Sequence, residues 1–84
     1  MTEQEQKILA EIKRILVDLF ELDEAVIVPE AKLYEDLDID SIDAVDLLID
    51  LKQSVDVDIS SDKFNEVRTI QDVIDTFVEL SNNS

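Results

Sequence analysis

Eighty-four residues make one small domain, and 22 acidic against 7 basic residues leave it a net charge of −15. So large an imbalance excludes binding to nucleic acid or to an anionic membrane surface, both of which demand positive charge, and favours partners with basic docking surfaces. The absence of any His or Cys removes the usual base for a nucleophilic serine, every disulfide and any thiolate zinc site.

Acidity of this degree can accompany disorder, but 45% of the residues are hydrophobic and fall at helical intervals. A domain of this size buries roughly 60% of its unfolded surface, enough for one modest core but not for a deep enzyme cleft. No stretch is long or apolar enough to span a membrane, and the polar start Met1-Thr2-Glu3-Gln4-Glu5-Gln6 is unlike a secretory signal. A cytoplasmic monomer without stable membrane insertion is the expectation.

Thr2-Glu3-Gln4-Glu5 has capping-box spacing, and Ile8, Leu9, Ile12, Ile15, Leu16, Leu19 and Phe20 follow on one stripe. The pattern predicts a first helix of about five turns. From Glu21 to Asp40 no period is sustained, and Pro29 interrupts the segment. Val26, Val28, Leu33, Tyr34 and Leu37 are expected to pin this long loop across the core, with one helical turn after Pro29.

A second helix is predicted from Asp40 or Ser41 to about Gln53, and successive residues on it turn by about 100°. Ala44, Leu47, Leu48 and Leu51 share the arc expected to face the core. Ile42, Val45 and Ile49 form a second apolar arc, and Asp43, Asp46 and Asp50 form an acidic face. One buried stripe suffices for folding, so an apolar strip beside an acidic ridge reads as a docking surface; a wider buried face in a small bundle is the competing reading.

Val55 to Ile59 alternates like a strand but has no partner, and reads as an extended connection burying Val55 and Ile59. A short third helix is predicted over 61–67, anchored by Phe64 and Val67. Thr69, with Asp72 three residues on, caps a fourth helix carrying Ile70, Val73, Ile74, Phe77 and Leu80 on its apolar side. Residues 81–84 are expected to fray. With no glycine, the helix ends lack the residue that usually forms a left-handed cap.

The densest chemistry lies between Glu35 and Leu47. Asp36-x-Asp38-x-Asp40 begins like a calcium loop, but the sixth position is Ser41 instead of Gly and the twelfth is Leu47 instead of a bidentate Glu. Weak, diffuse divalent-ion binding stays open. Ser41 by itself would be a helix cap; without a histidine it reads as a hydroxyl that another enzyme modifies, not as a catalyst.

Asp40-Ser41-Ile42, followed by Asp43-Ala44-Val45-Asp46-Leu47, resembles the phosphopantetheine attachment site of acyl carrier proteins. Leu37 matches the leucine that usually precedes the motif, Ile42 stands for the commoner Leu, and Asp38 departs from a usual Gly. The departure bears on loop geometry more than on attachment, because Asp also tolerates unusual backbone angles. The resemblance runs over nearly the whole chain.

It implies a non-enzymatic carrier: an all-α, small four-helix bundle with a short third helix and a long loop between the first two. It also implies Ser41 esterified to 4′-phosphopantetheine, whose thiol carries acyl groups as thioesters. Asp40 is the flanking residue that caps the helix. The implied partners are a phosphopantetheinyl transferase and the enzymes of fatty acid or polyketide-type biosynthesis. An aminoacyl or peptidyl carrier is the alternative within the family; an acidic calcium-binding domain and a cofactor-free interaction module are the alternatives from other classes.

Overall fold

The computed structural model describes residues 2–83, and its elements follow the hydrophobic periods closely. Helix α1 spans Glu3–Phe20, α2 Ser41–Val55, α3 Ser61–Phe64 and α4 Ile70–Asn83. This is the four-helix architecture with a short third helix and a long first loop. Helix α1 packs against both α2 and α4, and α3 leans on α2.

The capping box at the start of α1 is formed in both directions: the Glu5 amide donates to Thr2 Oγ1 at 3.2 Å and the Thr2 amide to Glu5 Oε1 at 3.1 Å. Those two bonds satisfy amides that a helix start otherwise leaves without partners. The same reciprocal arrangement opens α4, where the Asp72 amide donates to Thr69 Oγ1 and the Thr69 amide to Asp72 Oδ2.

The core contains Ile8, Ile12, Ile15 and Leu16 from α1, Ala44, Leu47, Leu48 and Leu51 from α2, and Ile70, Val73, Ile74 and Phe77 from α4. No polar or charged residue is buried among the described residues. Leu9, Phe20 and Leu80 pack at its edge, half-buried. Leu19 does not join it. Half-exposed on the last turn of α1, it lines the rim of an open groove with Asp50, Gln53 and Ser54 of α2.

The loop is anchored differently from the expectation ahead of Pro29. Ile27 is fully buried while Val26 and Val28 are exposed, because a turn of 3-10 helix over Glu24–Val26 rotates residue 27 inward. That 3-10 turn precedes Pro29 and Asp23 caps it through the Ala25 amide at 3.0 Å, while the single turn expected after Pro29 is formed from Lys32 to Asp36, whose amide donates to the Lys32 carbonyl at 2.8 Å. Pro29 lies in a plain turn, and its carbonyl accepts the Gln71 amide at 2.9 Å. Leu33 and Leu37 are buried as expected, Tyr34 is half-buried, and Ala31 and Ile39 are buried as well.

Helix α3 ends at Phe64, short of the expected Val67, although both side chains are buried. Past Phe64 the bonds are i→i+3 turns, the Glu66 amide donating to the Lys63 carbonyl at 3.2 Å and the Val67 amide to the Phe64 carbonyl at 3.1 Å, before the Arg68 carbonyl accepts the Leu33 amide at 2.9 Å. Val55 closes α2, half-buried, so it belongs to the helix and not to the extended connection, which buries Ile59. Of the tail, residues 81–83 are helical, and Ser84 lies outside the described residues.

Left-handed caps form without glycine. Glu21 (φ 55°) terminates α1 and Asp56 (φ 54°) terminates α2. Both take a conformation that disfavours a Cβ, and both put a negative charge at the negative end of a helix.

Candidate functional site

The site is the junction of the long loop with α2. Lys32 to Asp36 winds into a turn in which the Lys32 carbonyl accepts the amides of Asp36 at 2.8 Å and Leu37 at 3.1 Å. The Asp36 carboxylate closes it by accepting the Lys32 amide at 2.9 Å. The turn is tied sideways to the start of α4: Lys32 bridges Thr69, and the Ile70 amide donates to the Ala31 carbonyl at 3.0 Å.

Leu37 and Ile39 then both enter the core, and the Ile39 amide donates back to the Leu33 carbonyl at 3.0 Å. Between them Asp38 sits at φ 57°, in the left-handed region. The missing glycine therefore changes the residue and not the turn: aspartate takes the backbone angle that glycine takes freely. Ile39 as a second anchor was not read from the sequence, although its spacing of two from Leu37 was available.

Asp40 is extended (φ −91°, ψ 179°) and is the N-cap of α2; its Oδ1 accepts the Asp43 amide at 2.8 Å and its carbonyl accepts the Ala44 amide at 2.9 Å. Ser41 is the first helical residue. Its side chain is exposed, and its hydroxyl bonds to none of the described residues. The amides of Ser41 and Ile42 have no carbonyl within the helix to reach, so they face outward at the positive end of the helix dipole.

Those features fit an attached phosphodiester: an accessible hydroxyl, two free donors and a favourable helix end. Against them stand the carboxylates of Asp38, Asp40 and Asp43, whose repulsion an arm at Ser41 must tolerate. An arm at this position would have to be held by a covalent bond, and the chain itself offers no histidine to drive its formation.

Along α2 the three faces separate as helical geometry dictates. Ala44, Leu47, Leu48 and Leu51 are buried, whereas Ile42 is 74%, Val45 43% and Ile49 47% exposed. Asp46 is exposed and Asp43 and Asp50 are half-buried. None of the three makes an ion pair with a described residue. Asp50 nevertheless lies near enough to Arg14 to help hold that guanidinium protonated, behind the larger influence of Glu11.

Comparison with known proteins gives this junction its context. The family described as "Phosphopantetheine attachment site" matches residues 10–77. Acyl carrier protein 2 of Ralstonia nicotianae is 49% identical over 74 residues, 88% of this chain and 89% of the relative. An acyl carrier protein of Thermosynechococcus vestitus is 37% identical over 71 residues, 84% and 88% of the two chains.

In fold, the chain is similar to the crystal structure of an acyl carrier protein from Thermotoga maritima, with a TM-score of 0.83 at 21% identity over 96% of this chain and 94% of that one. The family match covers most of the chain, and the relatives share its length as well as its residues. The chain belongs to the acyl carrier proteins, which bear acyl groups on covalently attached 4′-phosphopantetheine and are carriers, not catalysts.

Proposed function

We propose that Ser41 is the residue that receives the 4′-phosphopantetheine arm, and that the domain delivers acyl thioesters to separate enzymes of fatty acid or polyketide-type biosynthesis. One observation carries the assignment: within the matched region, Ser41 presents an exposed, unbonded hydroxyl at the first position of a helix capped by the preceding Asp40. Attachment forms an Oγ–P bond to the phosphorus that bears pantetheine in coenzyme A and breaks that phosphorus's bond to the adenosine bisphosphate. The hydroxyl proton leaves to a base of the transferase. Once bound, the arm supplies the thiol that this chain lacks, and with it a thioester linkage to the cargo.

The chain's own residues then have distinct work. Asp40 holds the helix start, so Ser41 keeps its outward position. Ile42, Val45 and Ile49 offer apolar contact to an acyl-processing enzyme or to the transferase, and Asp43, Asp46 and Asp50 attract a basic surface on it. Exposure of the three apolar side chains and the absence, among the described residues, of ion pairs on the three carboxylates support this reading.

Incubation with coenzyme A and a phosphopantetheinyl transferase, followed by intact-mass measurement, tests the assignment. The wild-type chain should gain one phosphopantetheinyl group, and Ser41→Ala should fold normally and gain none. Modification retained by Ser41→Ala would sink it.

A further inference from the structure

We infer that Asp38 is a specificity-determining residue for loading of the arm, a charged contact for the enzyme that modifies Ser41. The inference deepens the Ser41 assignment and rests on it. Asp38 has φ 57°, where glycine is at ease and a residue with a Cβ is not. Its neighbours Leu37 and Ile39 are each 3% exposed, so the backbone is anchored on both sides and the Asp38 side chain stands in solvent.

The carboxylates around it are employed by the fold. Asp36 accepts the Lys32 amide and Asp40 accepts the Asp43 amide. Asp38 makes no hydrogen bond or ion pair with any described residue. Glycine would serve this turn better, and the aspartate that stands there makes no bond with a described residue to offset the cost of its backbone angle. Its charge lies three residues before Ser41 in sequence, on a segment whose ends are buried.

Any enzyme that delivers a phosphopantetheinyl group must hold coenzyme A, a polyanion, and so must surround the transfer site with cationic groups. A carboxylate at the rim of the acceptor is attracted to those groups as the two proteins meet. Such a contact acts on encounter, and therefore on kcat/KM more than on the chemical step, and it weakens as salt screens it.

The test uses the full-length apo chain, coenzyme A and a phosphopantetheinyl transferase, with Asp38→Asn and Asp38→Gly as variants. Asparagine keeps the size and the tolerance of a left-handed backbone; glycine relieves the backbone altogether. Both should lower kcat/KM about three- to tenfold at low salt with kcat unchanged. The difference should close at about 0.5 M salt, with melting temperatures equal to or above that of the wild type.

Loading of both variants at the wild-type kcat/KM overturns the inference and leaves Ser41 in place, provided Ser41→Ala gains no mass. A loss that persists at high salt overturns charge recognition in favour of loop geometry. Loading of Ser41→Ala overturns both assignments together.

Discussion

Arg14 Nη2 donates to Ser54 Oγ at 2.7 Å, joining the middle of α1 to the last turn of α2 across forty residues of sequence. The same nitrogen donates to Glu11 Oε2 at 2.8 Å, so one guanidinium holds a carboxylate on its own helix and a hydroxyl on the next. The chain is so acidic that this cation has no shortage of partners; Asp18 lies on its other side, 3.9 Å from Nη1.

Hydrogen bonding from Arg14 holds the Glu11 carboxyl below its usual range, and the Thr2 backbone amide does the same for Glu5. A carboxyl with a lowered folded pKa binds its proton less readily folded than unfolded. Its stabilising contribution is therefore complete above the ordinary glutamate pKa and is lost as pH falls through the lowered value. Thermal melts of the wild type and of Glu11→Gln should differ slightly at pH 7, and the gap should close as pH falls below 4.5, the ordinary value. A gap that widens on acidification would contradict the sign.

Leu48 and Ile49 are adjacent in sequence and opposite in exposure. Leu48 is buried and Ile49 is half-exposed. Leu48→Ala should cost ~2–5 kcal/mol in the apo protein. Ile49→Ala should cost under about 0.5–1 kcal/mol while weakening acyl transfer with partner enzymes. Denaturant melts and transfer assays on both variants separate core from docking surface; equal destabilisation would return Ile49 to the core.

The charge of −15 acts both within and between molecules. Added salt should raise the melting temperature by relieving self-repulsion, and should lower affinity for a basic partner. Asp46→Lys should mainly slow association, with little change in dissociation. Stopped-flow rates that ignore both salt and this substitution would rule out electrostatic docking.

Glu21 and Asp56 each combine a left-handed backbone with a charge of the wrong sign for a helix C-terminus. Glycine at either position removes both penalties but adds freedom to the unfolded chain. The net gain should be about 0.5–1.5 kcal/mol apiece, or about 2–12 °C for a domain of this size. Thermal melts of Glu21→Gly, Asp56→Gly and the double variant give the measurement, and the two changes should add.

The sequence made the helices legible because their apolar residues repeat at helical spacing and their caps are explicit. Thr2 and Glu5, Asp40 and Asp43, and Thr69 and Asp72 each mark a start through side-chain bonding. The four core positions of α2 followed from angle alone. The loop was less legible because Val26-Ile27-Val28 is apolar throughout, and no alternation tells which member points inward. Past Phe64 the third helix gives way to i→i+3 turns, and the chain then pairs with the loop through the Leu33–Arg68 bond, a contact across more than thirty residues that no local pattern encodes. The left-handed aspartate and glutamate escaped notice for a related reason: a missing glycine hides a turn without abolishing it.

Three backbone hydrogen bonds lash the long loop to the entrance of α4, at Pro29, Ala31 and Leu33, the last two forming the Lys32–Thr69 bridge. A tether hung from Ser41 would thus swing from a root that the loop fixes to the start of α4. Its free end would sweep a shell about a stationary centre, and an enzyme seated on α2 would meet the root of the tether at the same offset on every visit. Successive enzymes could then share one landing surface and still find the cargo, with the distance to each active site set by the tether's length and not by bending of the domain.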